Sequence, residues 1–82
     1  MNSVKYFAEK YLEEDIGHNI RKDILYKTYK EFCYKNKIAP KSEYSFSQAM
    51  RKIGYSYDQL RNGEVRNYYW MNVKIKDKFF YS

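Results

Sequence analysis

The side chains with the most specific hydrogen-bonding chemistry lie between residues 42 and 53, in a segment whose apolar residues have helical spacing. On the opposite face of that segment, the Arg51 guanidinium carries a fork of donors that matches guanine, and the Gln48 amide can pair with adenine. Tyr44 and Ser47 share this face and can reach phosphates or a thymine methyl group. These residue types favour contact with base edges, whereas a solvated polar face is the alternative that any surface helix offers.

A second basic group flanks a strong turn signal. Arg61 and Arg66 enclose the sequence Asn62-Gly63-Glu64, and Asn-Gly between two strand-like runs predicts a hairpin with a type I′ turn at Asn62-Gly63. A basic hairpin tip, Asn62 included, can enter a minor groove or lie along phosphates. The alternative is that charge protects an exposed edge from pairing with other strands.

Three lysines are candidates for contacts that position a phosphate backbone. Lys22 lies near the start of a predicted helix, Lys41 lies just before the next helix, and Lys52 lies at the margin of the polar face. Ser42 is a good N-cap for that next helix, Gly54 can close it, and helix N-termini offer free N–H groups to phosphate. The alternative is that these are ordinary surface lysines.

The elements that must hold these side chains are three helices followed by a hairpin. Periodicity and cap residues predict helices over 3–15, 22–36 and 43–53, and strand-like runs predict strands over 55–61 and 65–75. The apolar positions with helical spacing are Val4, Phe7, Ala8, Tyr11 and Leu12, then Leu25, Tyr29, Phe32 and Cys33, then Phe46, Ala49, Met50 and Ile53. This α+β order predicts a winged helix-turn-helix, with the hairpin as its wing.

The hairpin is rich in aromatic residues, namely Tyr55, Tyr57, Tyr68, Tyr69 and Trp70. We expect them to form core and cross-strand pairs rather than platforms for single-stranded bases. Trp70 and Val73 have opposite parity along the predicted strand, which implies a bulge or a sheet that is apolar on both faces. Residues 18–20 are expected to pair with the wing as a third strand. Phe79 and Phe80, in the tail, are candidates for packing on the core.

Charge is segregated along the chain. The net charge is +6; residues 1–20 hold two Lys against four acidic residues, whereas residues 21–82 hold fourteen Lys and Arg against six acidic residues. A basic surface attracts phosphate, and the alternative is the plain solubility of a Lys-rich protein. The length predicts one domain over residues 1–82.

Catalytic chemistry finds little support in the sequence. Cys33 is the only cysteine and His18 the only histidine, so neither an internal disulfide nor a zinc site of the usual composition is expected. A phosphate-binding loop of the form GxxxxGK[ST] is absent from the sequence. We therefore expect no catalytic residue, metal or cofactor. No apolar run reaches the length of a membrane span, and we expect a cytoplasmic protein without a membrane partner.

The run from Ile20 to Tyr55 resembles the C-terminal winged-helix domain of the phage, plasmid and pox-type primase–helicases of superfamily 3. The resemblance is carried by core and cap positions: Lys22-Asp23, Leu25-Tyr26, Tyr29 and Phe32-Cys33, then Pro40-Lys41-Ser42, Phe46 and Gly54, then Arg61, Arg66, Trp70, Val73 and Ile75. The match covers about residues 3–76. The chain departs from the family pattern at the hairpin, which has two arginines near its tip where the family usually has more.

The resemblance implies a module of a replication protein from a mobile element or virus, one that engages origin or duplex DNA and helps to load the helicase ring. The implied partners are double-stranded DNA and the primase and helicase domains of a parent protein. If Met1 is the native start, the chain is instead a small free-standing DNA binder. Two alternatives remain open: a free-standing winged-helix regulator of transcription, and an adaptor whose winged helix binds protein.

Overall fold

The computed structural model describes residues 2–76 of the chain, and the predicted packing of Phe79 and Phe80 lies outside this range. Three helices and five short strands form the described part, with the strands in two antiparallel sheets. The elements are α1 (Ser3–Tyr11), β1 (Leu12–Glu14), β2 (Ile20–Arg21), α2 (Lys22–Lys35), α3 (Glu43–Ile53), β3 (Tyr57–Asn62), β4 (Val65–Trp70) and β5 (Val73–Ile75).

Helix α3 has the predicted bounds because both of its ends are fixed locally. The Ser42 hydroxyl accepts a hydrogen bond from the Ser45 backbone N–H at 3.2 Å, as an N-cap does. Gly54 follows with φ +122°, a conformation that side chains disfavour, and its N–H reaches the carbonyls of Met50 and Arg51. Helix α2 ends one residue before the predicted position, and Lys37 turns the chain with φ +57°.

The core is an aromatic cluster shared by the three helices and the hairpin. The Phe46 ring stacks on Tyr29 with centroids 4.6 Å apart, and it also meets Phe7 and Trp70, each at 6.3 Å. The buried apolar residues are Val4, Phe7, Ala8, Leu12, Ile20, Leu25, Tyr29, Phe32, Cys33, Phe46, Met50, Trp70 and Val73. The predicted apolar faces are thus confirmed, except that Ile53 is 38% exposed at the end of α3.

The larger sheet has the strand order β2-β4-β3. Ile20 pairs with Trp70, which confirms that the link before α2 joins the hairpin as a third strand. The predicted turn at Asn62-Gly63 was wrong by one residue, because Asn62 still pairs with Val65 and the two turn residues are Gly63 and Glu64. Gly63 has φ +66° and Glu64 does not have a positive φ, a pattern that fits a type II′ turn with glycine first.

The first helix is shorter than predicted. It ends at Tyr11, and Leu12–Glu14 forms a strand that pairs with Val73–Ile75. Leu12 is buried in this strand, as it would also be on the apolar face of a longer helix, so its hydrophobicity cannot distinguish the two conformations. The strand is formed because its pairing partner, Val73–Ile75, is distant in sequence but adjacent in space. Within this pairing the Lys74 ammonium lies 3.3 Å from the Glu13 carboxylate.

The predicted strand 65–75 is divided in two at Asn72, which has φ +54°. The Asn72 side-chain oxygen accepts from the Gly17 N–H at 3.0 Å, and the Asn72 N–H donates to the Asn19 side chain at 3.2 Å. Asparagine tolerates this left-handed conformation better than most residues. The break explains how Trp70 and Val73 can both be buried despite their opposite parity in sequence, because they lie on separate strands.

Candidate nucleic-acid interface

The outer side of α3 forms a ridge between two clefts, and Gln48 lines both of them. The first, here called the hairpin-side cleft, has a volume of about 490 Å³. It is lined by Arg21, Lys22, Asp23, Glu43, Tyr44, Ser47, Gln48, Arg51, Tyr57, Asn67 and Tyr68. The second, the α1-side cleft, has a volume of about 810 Å³ and is lined by Asn2, Lys5, Lys41, Ser45, Gln48, Ala49, Lys52 and Ile53.

Within the hairpin-side cleft, the Lys22 ammonium lies against three aromatic rings of the sheet. It is 3.6 Å from the ring centroid of Tyr57, 5.6 Å from that of Trp70 and 6.0 Å from that of Tyr68. A cation over an aromatic face is attracted by the negative charge density of the ring. Lys22 is the first residue of α2, so this contact joins the start of α2 to the hairpin.

Replacing Lys22 with methionine is expected to lower the free energy of unfolding by about 1 kcal/mol, within the range for a partly desolvated cation–π contact. Methionine keeps an unbranched apolar stem but removes the charge. Lys27→Met is the matched control, because Lys27 is exposed on the same helix. Urea denaturation checks the difference; equal stability of the two variants would show that the aromatic rings do not stabilise the Lys22 ammonium.

The other charges of this cleft are partly neutralised. Arg21 donates two hydrogen bonds to the Asp23 carboxylate, at 2.7 and 2.8 Å, and these bonds hold the pKa of Asp23 below its ordinary value. The Arg51 guanidinium lies 5.8 Å from the Tyr57 ring centroid and is exposed. Arg51 therefore remains open to a ligand, beside the hairpin.

The turn before α3 is held by two tyrosines of α2. The Tyr29 hydroxyl accepts from the Lys41 backbone N–H at 3.1 Å, and the Tyr26 hydroxyl donates to the Lys41 carbonyl at 2.8 Å. The Tyr29 hydroxyl also shares a hydrogen bond of 2.8 Å with Ser3, at the start of α1. Burial raises the pKa of Tyr29, so the hydroxyl stays neutral. These bonds fix Lys41 and Ser42 relative to both other helices.

At the hairpin tip the two arginines face each other. Arg61 pairs directly with Arg66 in the register of β3 and β4, and both are exposed. Like charges directly opposite on a sheet are destabilising. Arg61 donates from Nε to the Gly63 carbonyl at 2.9 Å, which orients one guanidinium but leaves its charge uncompensated. The pair forms a concentrated positive site at the hairpin tip.

The structure divides the predicted site residues into three groups. The hairpin-side cleft is lined by Lys22, Tyr44, Ser47, Gln48 and Arg51. The α1-side cleft is lined by Lys41, Gln48 and Lys52. Arg61, Asn62 and Arg66 lie at the hairpin tip. Ser42 is used as the helix cap.

The prediction for Ser47 was wrong, and that for Tyr68 was confirmed in part. Ser47 is only 7% exposed, although it lines the hairpin-side cleft. Tyr68, expected in the core or in a cross-strand pair, is 51% exposed and lies outside the core, but its ring contacts that of Tyr57 across the hairpin with centroids 5.9 Å apart. Trp70 is fully buried, as predicted, although no hydrogen-bond partner for its Nε1 is found among the described residues.

Several residues that line the clefts were not predicted as site residues, and Lys5, Tyr57 and Asn67 are among them. Lys5 lies in the part of the chain with a negative balance, so its charge gave no signal. Tyr57 and Asn67 are separated by the hairpin turn and come to one cleft through strand pairing. The Arg21-Asp23 spacing alone could have indicated their ion pair.

Among residues 2–76, no group of three or more His, Cys, Asp and Glu side chains is placed to hold a metal ion. Cys33 is buried on α2, and the His18 ring lies 2.9 Å from the Val73 carbonyl oxygen through Nδ1. None of the helices in the described part of the chain has the length and apolar character needed to cross a membrane.

Comparison with known proteins supports the resemblance found in the sequence. No curated protein matches the chain significantly. The family profile described as poxvirus D5 protein-like, a primase–helicase-related group, matches residues 1–82, the full length of the sequence. This match agrees with the resemblance to pox-type primase–helicases, and the chain belongs to the poxvirus D5 protein-like family.

Proposed function

We propose that residues 1–82 are a non-catalytic winged-helix domain that binds double-stranded DNA. The observation that carries the proposal is the ridge of α3, which presents Gln48 and Arg51 between two clefts that both contain basic side chains. The major groove is wide enough to admit an α-helix. A helix placed there would have a phosphodiester strand on each side, where the clefts lie.

The order and pairing of the elements support the winged-helix interpretation. Helices α2 and α3 are consecutive and are joined by the segment 36–42, which is longer than the turn of the simplest helix-turn-helix unit and is held at Lys41 by Tyr26 and Tyr29. The hairpin of β3 and β4 follows α3, and β2 completes a three-stranded sheet. In this arrangement α3 is the recognition helix and the hairpin is the wing.

The hairpin tip supports contact with the DNA backbone. The directly opposed Arg61 and Arg66 repel each other in the free protein. A phosphate between or beside them would relieve that repulsion, and arginine binds phosphate through paired hydrogen bonds. Glu64, in the turn itself, opposes this contact because its carboxylate repels phosphate.

Family membership supports a role in DNA replication. The primase–helicase relationship makes the DNA of a virus or mobile element the proposed substrate, and the helicase and primase domains of a parent protein the proposed partners in the same chain. A free-standing regulator of transcription would use the same DNA-binding surface. The reading frame that contains these residues separates the two, because only the replication role requires an adjoining ATPase domain.

We expect duplex binding to weaken linearly on a plot of log K against log salt. If about five phosphates are contacted, the slope is about −4 to −5. Fluorescence anisotropy with a labelled random duplex at several salt concentrations measures it, and a single-stranded oligonucleotide of equal length is the control. A flat salt response, or no binding at low salt, would exclude this function and favour an adaptor that binds protein.

A further inference from the structure

We infer that the α1-side cleft is the principal phosphate-binding surface of the domain, with Lys5 as a contact that acts together with Lys41 and Lys52. The inference rests on the proposed DNA-binding function and specifies which side chains contact the phosphates of each DNA strand. Lys5 comes from α1, Lys41 from the turn before α3, and Lys52 from α3 itself. All three side chains are exposed.

The two clefts differ in their charge. The hairpin-side cleft has three basic residues and two acidic ones, and its Arg21 is tied to Asp23. Its Lys22 is already held by aromatic rings. The α1-side cleft is lined by three lysines and, within residues 2–76, by no acidic residue. Because neutralising phosphates requires uncompensated cations, the α1-side cleft is the stronger site.

The lysines of this cleft form no ion pair with any other residue of the range 2–76. Among the described residues, the ion pairs are those of Arg21 with Asp23 and of Lys74 with Glu13. Lys5, Lys41 and Lys52 therefore gain nothing from ion pairing with the described residues, and like charges that line one cleft repel one another. An anion bound in the cleft would remove that cost.

The backbone around the cleft is fixed before any ligand arrives. The Asn2 side-chain oxygen accepts from the Lys5 N–H at 3.1 Å, which caps α1. Ser3 bonds to Tyr29, and Tyr29 in turn bonds to the Lys41 N–H. The bonds of Ser3 and Lys41 thus meet at the Tyr29 hydroxyl, and the Asn2 cap holds the Lys5 backbone two residues further along α1. A site organised in this way loses less conformational freedom when it binds.

The position of the cleft identifies the strand that it would contact. Gln48 lies on the ridge of α3 and lines both clefts, so the clefts flank the part of the helix that faces the groove floor. One phosphodiester strand would lie against the hairpin side with Arg51 and the hairpin. The other strand would lie in the α1-side cleft, against the three lysines.

The test compares two triple variants of equal charge. Lys5→Ala, Lys41→Ala and Lys52→Ala together should make the log K against log salt slope shallower by about 3 on a random duplex, since each lost phosphate contact contributes roughly one. The control replaces Lys10, Lys27 and Lys35, which are exposed and line neither cleft, and should change the slope by less than about one.

Single variants and a measurement on the unaltered chain complete the test. Lys5→Gln alone should make the slope shallower by about one, and thermal melting verifies that the variants fold. In NMR titrations with the duplex, the backbone amides of Lys5 and Ser45 should shift. Equal slopes for the two triple variants, or unmoved amides at both positions, would overturn the inference while leaving DNA binding intact. A wild-type chain that does not bind would instead refute the proposed function itself.

Discussion

Replacing Phe46 with alanine is expected to lower the free energy of unfolding by about 3–5 kcal/mol, the range for truncating a buried phenylalanine. Phe46 is 1% exposed and its ring meets those of Phe7, Tyr26, Tyr29 and Trp70. These rings belong to all three helices and to the hairpin, so no single element can move to fill the space. A chain of this size has a total stability of about 4–12 kcal/mol, so the variant should be largely unfolded at elevated temperature.

Tyr44→Ala is the matched control for Phe46→Ala. Tyr44 is also aromatic and lies in the same helix, but it is 75% exposed, so its loss should change stability by no more than about 0.5 kcal/mol. Urea unfolding followed by tryptophan fluorescence measures both, because Trp70 is the single tryptophan and is buried. Comparable losses in the two variants would mean that α3 is not anchored by the core at Phe46.

Helix α3 could be predicted from the sequence because its determinants are local. A serine cap, an apolar stripe and a closing glycine lie within the segment 42–54, and each keeps its role in the structure. The same periodicity predicts that Gln48 and Arg51 are exposed polar side chains, and both are exposed in the structure. In α3 the structure depends on neighbours along the chain, and the sequence was sufficient to predict it.

The parts that could not be predicted depend on distant partners. Strand β1 forms because its backbone hydrogen-bonds to that of Val73–Ile75. The helical pattern of the residues before β1 does not indicate this pairing. Asn72 breaks the last strand through bonds to Gly17 and Asn19. Neither residue is near Asn72 in the sequence, so the break could be anticipated only as an unexplained change of parity.

The same distinction applies to the candidate site. Lys41 and Lys52 were found because they border α3 in sequence. Lys5 was missed because the start of α1 comes close to α3 through tertiary packing, such as the contact between the Phe7 and Phe46 rings, and not through proximity in sequence. Ser47 was assigned to the open face because periodicity alone cannot show which positions of α3 the neighbouring elements cover.

Replacing Arg51 with alanine should weaken binding to a preferred duplex by about 1–3 kcal/mol and weaken binding to random duplex much less. Arg51 is exposed on the ridge side of the hairpin cleft, next to Gln48, where base edges would be read. Arg66→Ala should weaken both DNAs about equally and make the salt slope shallower by about one. The preferred duplex is first obtained by selection from a random pool, and anisotropy titrations then give the four affinities.

Arg51→Lys separates recognition from charge. Lysine keeps the positive charge but lacks the planar fork that contacts two acceptors of one base. If Arg51 reads a guanine, this variant should retain the salt slope and still lose most of the discrimination between preferred and random duplex. The contact of Arg51 with Tyr57 is exposed, so both variants should melt close to the wild type. If Arg51→Ala weakens both duplexes by the same factor, α3 does not read bases at this position, and the domain holds DNA through phosphates alone.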